Sequence, residues 1–167
     1  VRRSLDNTYL VIIGVAYLFV AGLELIHTLA FKGMEVFSGH DENLPTQLWV
    51  AARYVEGLSL MIAPLFFGRK IDLRIVFAGY ALVFSLLLGM IFYWEVFPTC
   101  YVAGQGLTTF KRSSEYAVSA FLIAGIAILV KRREKFDLEM VRLLVASISL
   151  SFVSEILFSK FEHVYGS

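Results

Sequence analysis

Residues 9–29 read YLVIIGVAYLFVAGLELIHTL, an apolar run that as a single helix can cross roughly 30 Å of hydrocarbon. Glu24 and His27 interrupt this run near its end, and their spacing puts both side chains on one helical face. Ionisable groups inside a bilayer are costly, and they usually face a protein interior or a water-filled cavity. The stretch therefore predicts a membrane-spanning helix that contributes to a buried polar site.

The composition extends this prediction to the whole chain. Of its 167 residues, 58% are hydrophobic, and the mean hydropathy of +0.72 is too high for a soluble domain of this size. Further apolar runs follow at 48–67, 75–94, 114–130 and 141–158. We therefore predict an all-α membrane protein, a polytopic transmembrane helix bundle with five spans. The single cysteine, Cys100, excludes an internal disulfide, and no catalytic triad, phosphate-binding loop or nucleic-acid patch is evident.

Two polar segments, 31–47 and 95–111, separate spans and are longer than the other connections. Glycines and Pro98 exclude a continuous helix in the second of them. Thr46 is the expected N-cap of the second span, and Pro64 is expected to bend or end that span.

The basic residues predict the orientation. Four of the 15 Lys and Arg residues lie on the side of the two long segments, and Arg53 lies within a span. The other ten lie on the opposite side, namely Arg2, Arg3, Arg69, Lys70, Arg74, Lys131, Arg132, Arg133, Lys135 and Arg142. Because basic residues concentrate in the cytoplasm, the chain is expected to start there and to expose both long segments outside. Its location is then the cytoplasmic (inner) membrane, with residue 167 on the outer side.

With this orientation, the charges within the spans fall in the outer half of the membrane. Arg53 is the one cation among Glu24, Glu56 and Glu155, and an unpaired carboxylate in lipid is unfavourable. We expect Arg53 to bridge two of these carboxylates, with His27 hydrogen-bonded nearby. The cluster would then form the floor of a cavity covered by segments 31–47 and 95–111.

Simpler interpretations stay open for individual residues. An Arg53–Glu56 pair can serve helix packing alone, and His27 can be an ordinary interhelical histidine. Trp49, like Tyr93 and Trp94, lies at the depth of an aromatic belt. The alternative function is a metal- or haem-binding membrane redox protein in which His27, with Glu24 for a metal, is the ligand. No second histidine lies within a span to partner a haem, since His40 and His163 lie outside the spans or at their edge. A small transporter is a further alternative. Transporters are expected to have charges at the membrane midplane and broken helices, whereas the charges here lie in the outer half and the helices look unbroken.

Four stretches together resemble the third of the membrane-associated sensor (MASE) domain families of bacterial and archaeal signalling proteins. They are LELIHTLAFKGMEVF (23–37), NLPTQLWVAARYVEGLSLMIAPLF (43–66), FYWEVFPTCYVAGQGLTTFKRSSEY (92–116) and SEILFSKFEHVYG (154–166). The family's characteristic positions fall here on His27, Lys32, Gly33, Met34, Gln47, Trp49, Arg53, Glu56, Pro98, Cys100, Gly106, Thr108, Lys111, Glu115 and Glu155. Glu24 and Thr99 stand where family members tend to carry Asp; the second change makes the 95–111 segment less acidic.

The resemblance implies a non-catalytic sensory input domain, placed before a cytoplasmic histidine kinase, diguanylate cyclase or PAS domain in the same chain. It also implies that residues 1–167 are one integral-membrane sensory domain, a fragment lacking a helix before Arg2 and one after Ser167. We expect a small extracytoplasmic ligand or ion, a lipid bilayer environment, a homodimer and no nucleic-acid partner. No cofactor is required by the sequence. The candidate ligand-binding residues are Glu24, His27, Lys32, Trp49, Arg53, Glu56, Glu115 and Glu155.

Overall fold

The structure is a computed structural model that describes residues 8–34, 36–37, 39, 41–135 and 138–160. Arg2, Arg3, His40 and His163, which entered the sequence analysis, lie outside the described residues. Within the described part, five helices are long and apolar enough to cross a membrane. They are α1 (Thr8–Leu29), α2 (Asn43–Ile62), α3 (Leu73–Leu88), α4 (Thr109–Lys131) and α5 (Leu138–Lys160). The predicted all-α membrane bundle is therefore confirmed.

Two helices continue beyond their α-helical part. A 3₁₀ turn over Ala63–Phe66 extends α2, and the change of winding coincides with Pro64, as the sequence predicted. A π-helical turn over Gly89–Tyr93 extends α3. The ring of Trp94 folds back onto Gly89, where a Cβ atom would lie only 2.8 Å from it, so a larger residue there would force the Trp94 ring to move.

The start of α2 differs from the prediction. The helix begins at Asn43, five residues before the predicted boundary at residue 48, and Pro45 occupies its first turn, where a missing N–H costs little. Thr46 is therefore not the N-cap. Its hydroxyl donates within the helix to the Glu42 carbonyl at 2.9 Å, while Asp41 Oδ1 accepts from the Asn43 N–H at 3.0 Å. The polar first turn lowers the local hydropathy, which is why the apolar run marks only the later part of the helix.

The connection between α3 and α4 contains a short antiparallel hairpin, β1 (Tyr101–Val102) paired with β2 (Gly106–Leu107). Gly104 and Gly106 have φ values of +77° and +82°, which residues with a Cβ rarely adopt. Thr108 then caps α4 by accepting from the Lys111 N–H at 3.3 Å. Because α4 starts at Thr109 rather than at residue 114, Lys111 belongs to the helix and not to the preceding loop.

The second helix is the centre of the bundle. It packs against α1 on one side and α4 on another, α3 lies against α1, and α5 lies against α4. One apolar core joins α1, α2 and the end of α3 around Leu23, Leu48 and Ile91. A second core joins α2, α4 and α5. Residues 73–88 of α3 include no fully buried side chain, as expected for a helix whose outer face contacts lipid.

The two ends of the bundle differ in their connections. We call the end with segments 31–42 and 94–108 the loop end, and the end with segments 67–72 and 132–135 the turn end. At the turn end, the Thr8 hydroxyl donates to the Arg69 carbonyl, and Arg132 Nη1 donates to the carbonyls of Pro64 and Leu65 at 3.4 and 3.3 Å. The start of α1 and the two basic turns are thereby held together.

Candidate functional site

The Arg53 guanidinium lies among three carboxylates from three helices. Its Nη1 donates to Glu56 Oε2 at 2.5 Å, and its Nη2 donates to Glu24 Oε1 of α1. Its Nε lies 3.9 Å from Glu155 Oε1 of α5. We call Arg53, Glu24, Glu56 and Glu155 the Arg53 cluster. Arg53 thus bridges two carboxylates, as predicted from the sequence, and forms an ion pair with a third.

Access to the Arg53 cluster is uneven. Glu24 and Arg53 keep 30% and 22% of their side-chain surface exposed, whereas Glu56 and Glu155 keep 8% and 5%. A molecule that reaches the cluster would therefore meet Glu24 and Arg53 first, with the other two carboxylates behind them.

Tyr17 completes the cluster, and the sequence analysis missed it. Its hydroxyl donates to Glu56 Oε1 at 3.1 Å. Tyr17 and Glu24 lie seven residues apart on α1, which is two helical turns and therefore the same face. That spacing is the signal that could have found Tyr17, but a tyrosine in a membrane helix is too common to stand out by itself.

A second ion pair lies beside the first. Lys111 Nζ donates to Glu115 one turn later on α4, and both side chains are almost fully buried. The Lys111 ammonium lies 4.5 Å from the centre of the Trp49 ring, and the Arg53 guanidinium lies 5.9 Å from it. Trp49 is thus within cation–π range of both basic groups. Trp49 and Glu115, two candidate residues from the sequence, therefore lie next to the Arg53 cluster. Lys111 joins them as a further candidate.

His27 was expected to be hydrogen-bonded near the cluster, and its observed partner is a backbone carbonyl. Its Nδ1 lies 2.8 Å from the Pro45 carbonyl at the start of α2. Because a carbonyl oxygen only accepts, Nδ1 carries the hydrogen and Nε2 is the nitrogen with a lone pair in the neutral ring. In the part of the chain that the structure describes, no group of three or more His, Cys, Asp or Glu side chains is arranged to hold a metal ion.

Lys32 lies in the loop-end segment and is mostly exposed. Its Nζ donates to Glu42 Oε1 at 2.7 Å. This hydrogen bond and the Glu42 charge raise the pKa of Lys32. The structure therefore gives Lys32 a loop partner and does not bring it into contact with the cluster carboxylates.

The first turns of α2 hold the second long segment in place. Asn43 Oδ1 accepts from the N–H groups of Cys100 and Tyr101 at 2.7 and 3.0 Å, and Gln47 Nε2 donates to the carbonyls of Phe97 and Pro98 at 2.9 and 3.1 Å. A cavity of about 290 Å³ lies under this segment, lined by Asp41, Asn43, Leu44, Gln47, Ile91, Glu95, Phe97 and Thr99. This cavity is near the loop end, as the sequence analysis expected, but its lining does not include the Arg53 cluster.

Cys100 is fully buried in this segment, and burial raises the pKa of its thiol to about 12. Since the thiolate is the reactive form, its population at neutral pH is about a thousandfold below that of a free thiol. We expect maleimide to label the native protein at least about a hundredfold more slowly than the denatured protein, as measured by mass spectrometry at pH 7.5. Equal rates in the two states would show that Cys100 is not buried. As the single cysteine, it also reports unfolding of the domain.

Comparison with known proteins adds one match. No curated protein and no solved structure matches the chain. The sequence model of the family MASE3, described as a membrane-associated sensor domain, matches residues 1–167, which is the whole chain. The resemblance noted from the four sequence stretches is thereby confirmed, and the match agrees with the helical membrane bundle described above. The chain belongs to the MASE3 family of membrane-associated sensor domains.

Proposed function

We propose that this sensor domain detects a small ligand or ion at the Arg53 cluster. The observation that carries the proposal is that one guanidinium on α2 contacts carboxylates of α1, α2 and α5. A ligand that competes for any of these groups changes the contacts among three helices at once. An ion pair kept only for packing needs no access from outside, whereas Glu24 and Arg53 are partly exposed.

The proposed binding residues are those that the structure groups around Arg53. Arg53 contacts Glu24, Glu56 and Glu155, Trp49 and Glu115 adjoin them, and His27 binds the Pro45 carbonyl at the start of α2. We leave Lys32 out because its partner is the loop residue Glu42.

The proposed topology has the turn end in the cytoplasm and the loop end outside. Support comes from the basic turns at 69–74 and 131–135, which the structure brings to the same end of the bundle as the start of α1. With this topology in the inner membrane of a prokaryote, Glu24 and Arg53 are reached from the extracytoplasmic side.

The proposed output is cytoplasmic and lies in the same polypeptide, as a histidine kinase, diguanylate cyclase or PAS domain, while the membrane domain itself is non-catalytic. A ligand shifts the equilibrium between two helix packings only by its difference in affinity for them. A cluster that joins three helices supplies such a difference, because displacement of one carboxylate alters the helix contacts. We further propose that the receptor acts as a homodimer.

The test replaces Glu24 with glutamine in the full-length protein reconstituted into liposomes. Output activity is followed while the medium at the loop end is varied in pH, in Na⁺ and Mg²⁺ concentration, and across a panel of small organic ions. We expect Glu24→Gln to reduce the response at least about tenfold, because it removes the exposed charge of the cluster. Glu95→Gln removes a loop carboxylate outside the cluster and is expected to respond like the wild type. Equal responses in both variants would contradict the proposed site.

A further inference from the structure

The charges of the Arg53 cluster do not balance. Glu24, Glu56 and Glu155 face one guanidinium. The neighbouring cation, Lys111, is already paired with Glu115. Uncompensated charge is costly to keep away from water, and the cost is larger inside a membrane. The arrangement therefore has more negative charge than its own cations neutralise.

Glu155 is the carboxylate with the weakest compensation. Arg53 donates hydrogen bonds to Glu24 and Glu56, but its Nε and Glu155 Oε1 are 3.9 Å apart, which is too far for a hydrogen bond. Among the residues that the structure describes, neither Arg53 Nε nor Glu155 Oε2 has a hydrogen-bond partner, although both atoms are buried. The Glu155 side chain is only 5% exposed. It is an unsatisfied buried acceptor that points at the cluster.

The position of Glu155 on α5 couples it to helix packing. The buried residues Val141, Ile148 and Glu155 are spaced by seven, the repeat with which one helix packs along another in a left-handed crossing. Glu155 thus occupies a seam position, and the two preceding positions of this seven-residue repeat carry aliphatic residues. Beyond Ile148, it is the one buried side chain among those described in α5, up to Leu157. Phe152 packs against the second core at this end of α5, but the most buried side chain there is a carboxylate.

The charged groups that act on Glu155 come from two neighbouring helices. Arg53 and Glu56 belong to α2, and Lys111 and Glu115 belong to α4. Glu24 and Tyr17 of α1 reach Glu155 only indirectly, through Arg53 and Glu56. Each of the two helices facing Glu155 contributes one cation and one carboxylate, so neither supplies a surplus of positive charge.

We infer that Glu155 binds a proton, and that this proton decides how the loop end of α5 packs on the bundle. The proton adds to Glu155 Oε2 and forms a neutral carboxyl group. Its binding removes negative charge from the seam, so the buried oxygen no longer carries an uncompensated charge. The inference rests on the proposed function and names the ligand class of the same site.

Infrared difference spectroscopy of the full-length protein in lipid tests this inference. In one series the pH is stepped; in the other the pH is fixed and choline is exchanged for Na⁺ or Mg²⁺. Proton uptake by Glu155 produces the C=O stretching band of a neutral carboxyl group, whereas binding of a metal ion would shift the carboxylate bands without producing it. We expect the C=O band in the pH series of the wild type and its complete loss in Glu155→Gln. Glu134→Gln, a carboxylate variant at the turn end, is expected to retain it.

Identical difference spectra in the wild type and Glu155→Gln in the pH series, or a Glu155-dependent signal in the metal series alone, would overturn the inference. Slow maleimide labelling of Cys100 checks that Glu155→Gln has folded. If it has not folded, Glu155→Asp is used in its place, and the carboxyl band is expected to shift in frequency. An unshifted band in Glu155→Asp would overturn the inference. If the spectra are identical while the output response is still lost in Glu24→Gln, the proton inference fails and the proposed function stands. A Glu155 signal without any output response contradicts the proposed function instead.

Discussion

Replacement of Arg53 by alanine is expected to abolish the output response and to destabilise the bundle without preventing membrane insertion. The substitution leaves Glu56 and Glu155, which are 8% and 5% exposed, without their cation. Removal of one partner of a buried ion pair costs about 3–5 kcal/mol, since the remaining charge is uncompensated. Insertion is expected to persist because α2 loses a charge and becomes more apolar.

Thermal unfolding in detergent, read by a fluorogenic maleimide on Cys100, measures the loss of stability. The matched control is Arg74→Ala, which removes an exposed arginine at the turn end and is expected to change stability by less than about 0.5 kcal/mol. An unfolding temperature of Arg53→Ala equal to that of the control would show that Arg53 is not paired as the structure has it.

A neutral version of the cluster separates packing from sensing. It combines Arg53→Met with Glu24→Gln, Glu56→Gln and Glu155→Gln, which removes every charge of the cluster. Apolar or neutral replacements of whole buried ion networks often restore stability. We expect this variant to regain most of the stability that Arg53→Ala loses and to remain without an output response. A normal response from the neutral variant would leave the cluster with a packing role only.

The sequence was sufficient to predict that the charges within the spans gather around Arg53, but not how closely each carboxylate approaches it. Glu24, Arg53, Glu56 and Glu155 interrupt apolar runs, and ionisable groups in such runs need partners inside the protein. The distance of each carboxylate from Arg53 depends on helix rotation, which hydropathy does not specify. The partner of His27 is the backbone carbonyl of Pro45, and any residue could supply that acceptor.

Helix boundaries were predictable only where they coincide with the edge of an apolar run. α2 and α4 both begin about five residues before their predicted starts, with first turns containing Asn43, Gln47 and Lys111. These polar side chains belong to the helices but bind loop backbone or a neighbouring carboxylate, so hydropathy counts them as loop. The polar first turn of α2 lines the loop-end cavity, and the polar first turn of α4 places Lys111 beside the Arg53 cluster.

Substitution of Gly125 by leucine is expected to prevent α2 and α4 from packing together. A Cβ atom on Gly125 would lie 3.1 Å from the Leu60 carbonyl oxygen and 3.4 Å from the Met61 Cα, both of which are backbone atoms. A side-chain neighbour could rotate away from the new atom, but the backbone of a packed helix cannot. Small residues permit such close approach in membrane helices, where van der Waals packing and not hydrophobicity drives association.

A graded series makes this prediction quantitative. Gly125→Ala adds one carbon at a tight contact and is expected to cost about 1–3 kcal/mol, read as a lower unfolding temperature in the Cys100 assay. Gly125→Leu is expected to leave Cys100 reactive at room temperature, because the segment that buries it is bonded both to α2, through Asn43, and to the N-cap of α4, through Thr108, and a displaced α4 separates the two. Gly79→Leu is the matched control, since a Cβ there meets nothing within 4 Å. If Gly125→Leu and Gly79→Leu unfold at the same temperature, the close contact between α2 and α4 does not exist. In that case the α2–α4 interface does not hold α5, which packs on α4, against Arg53.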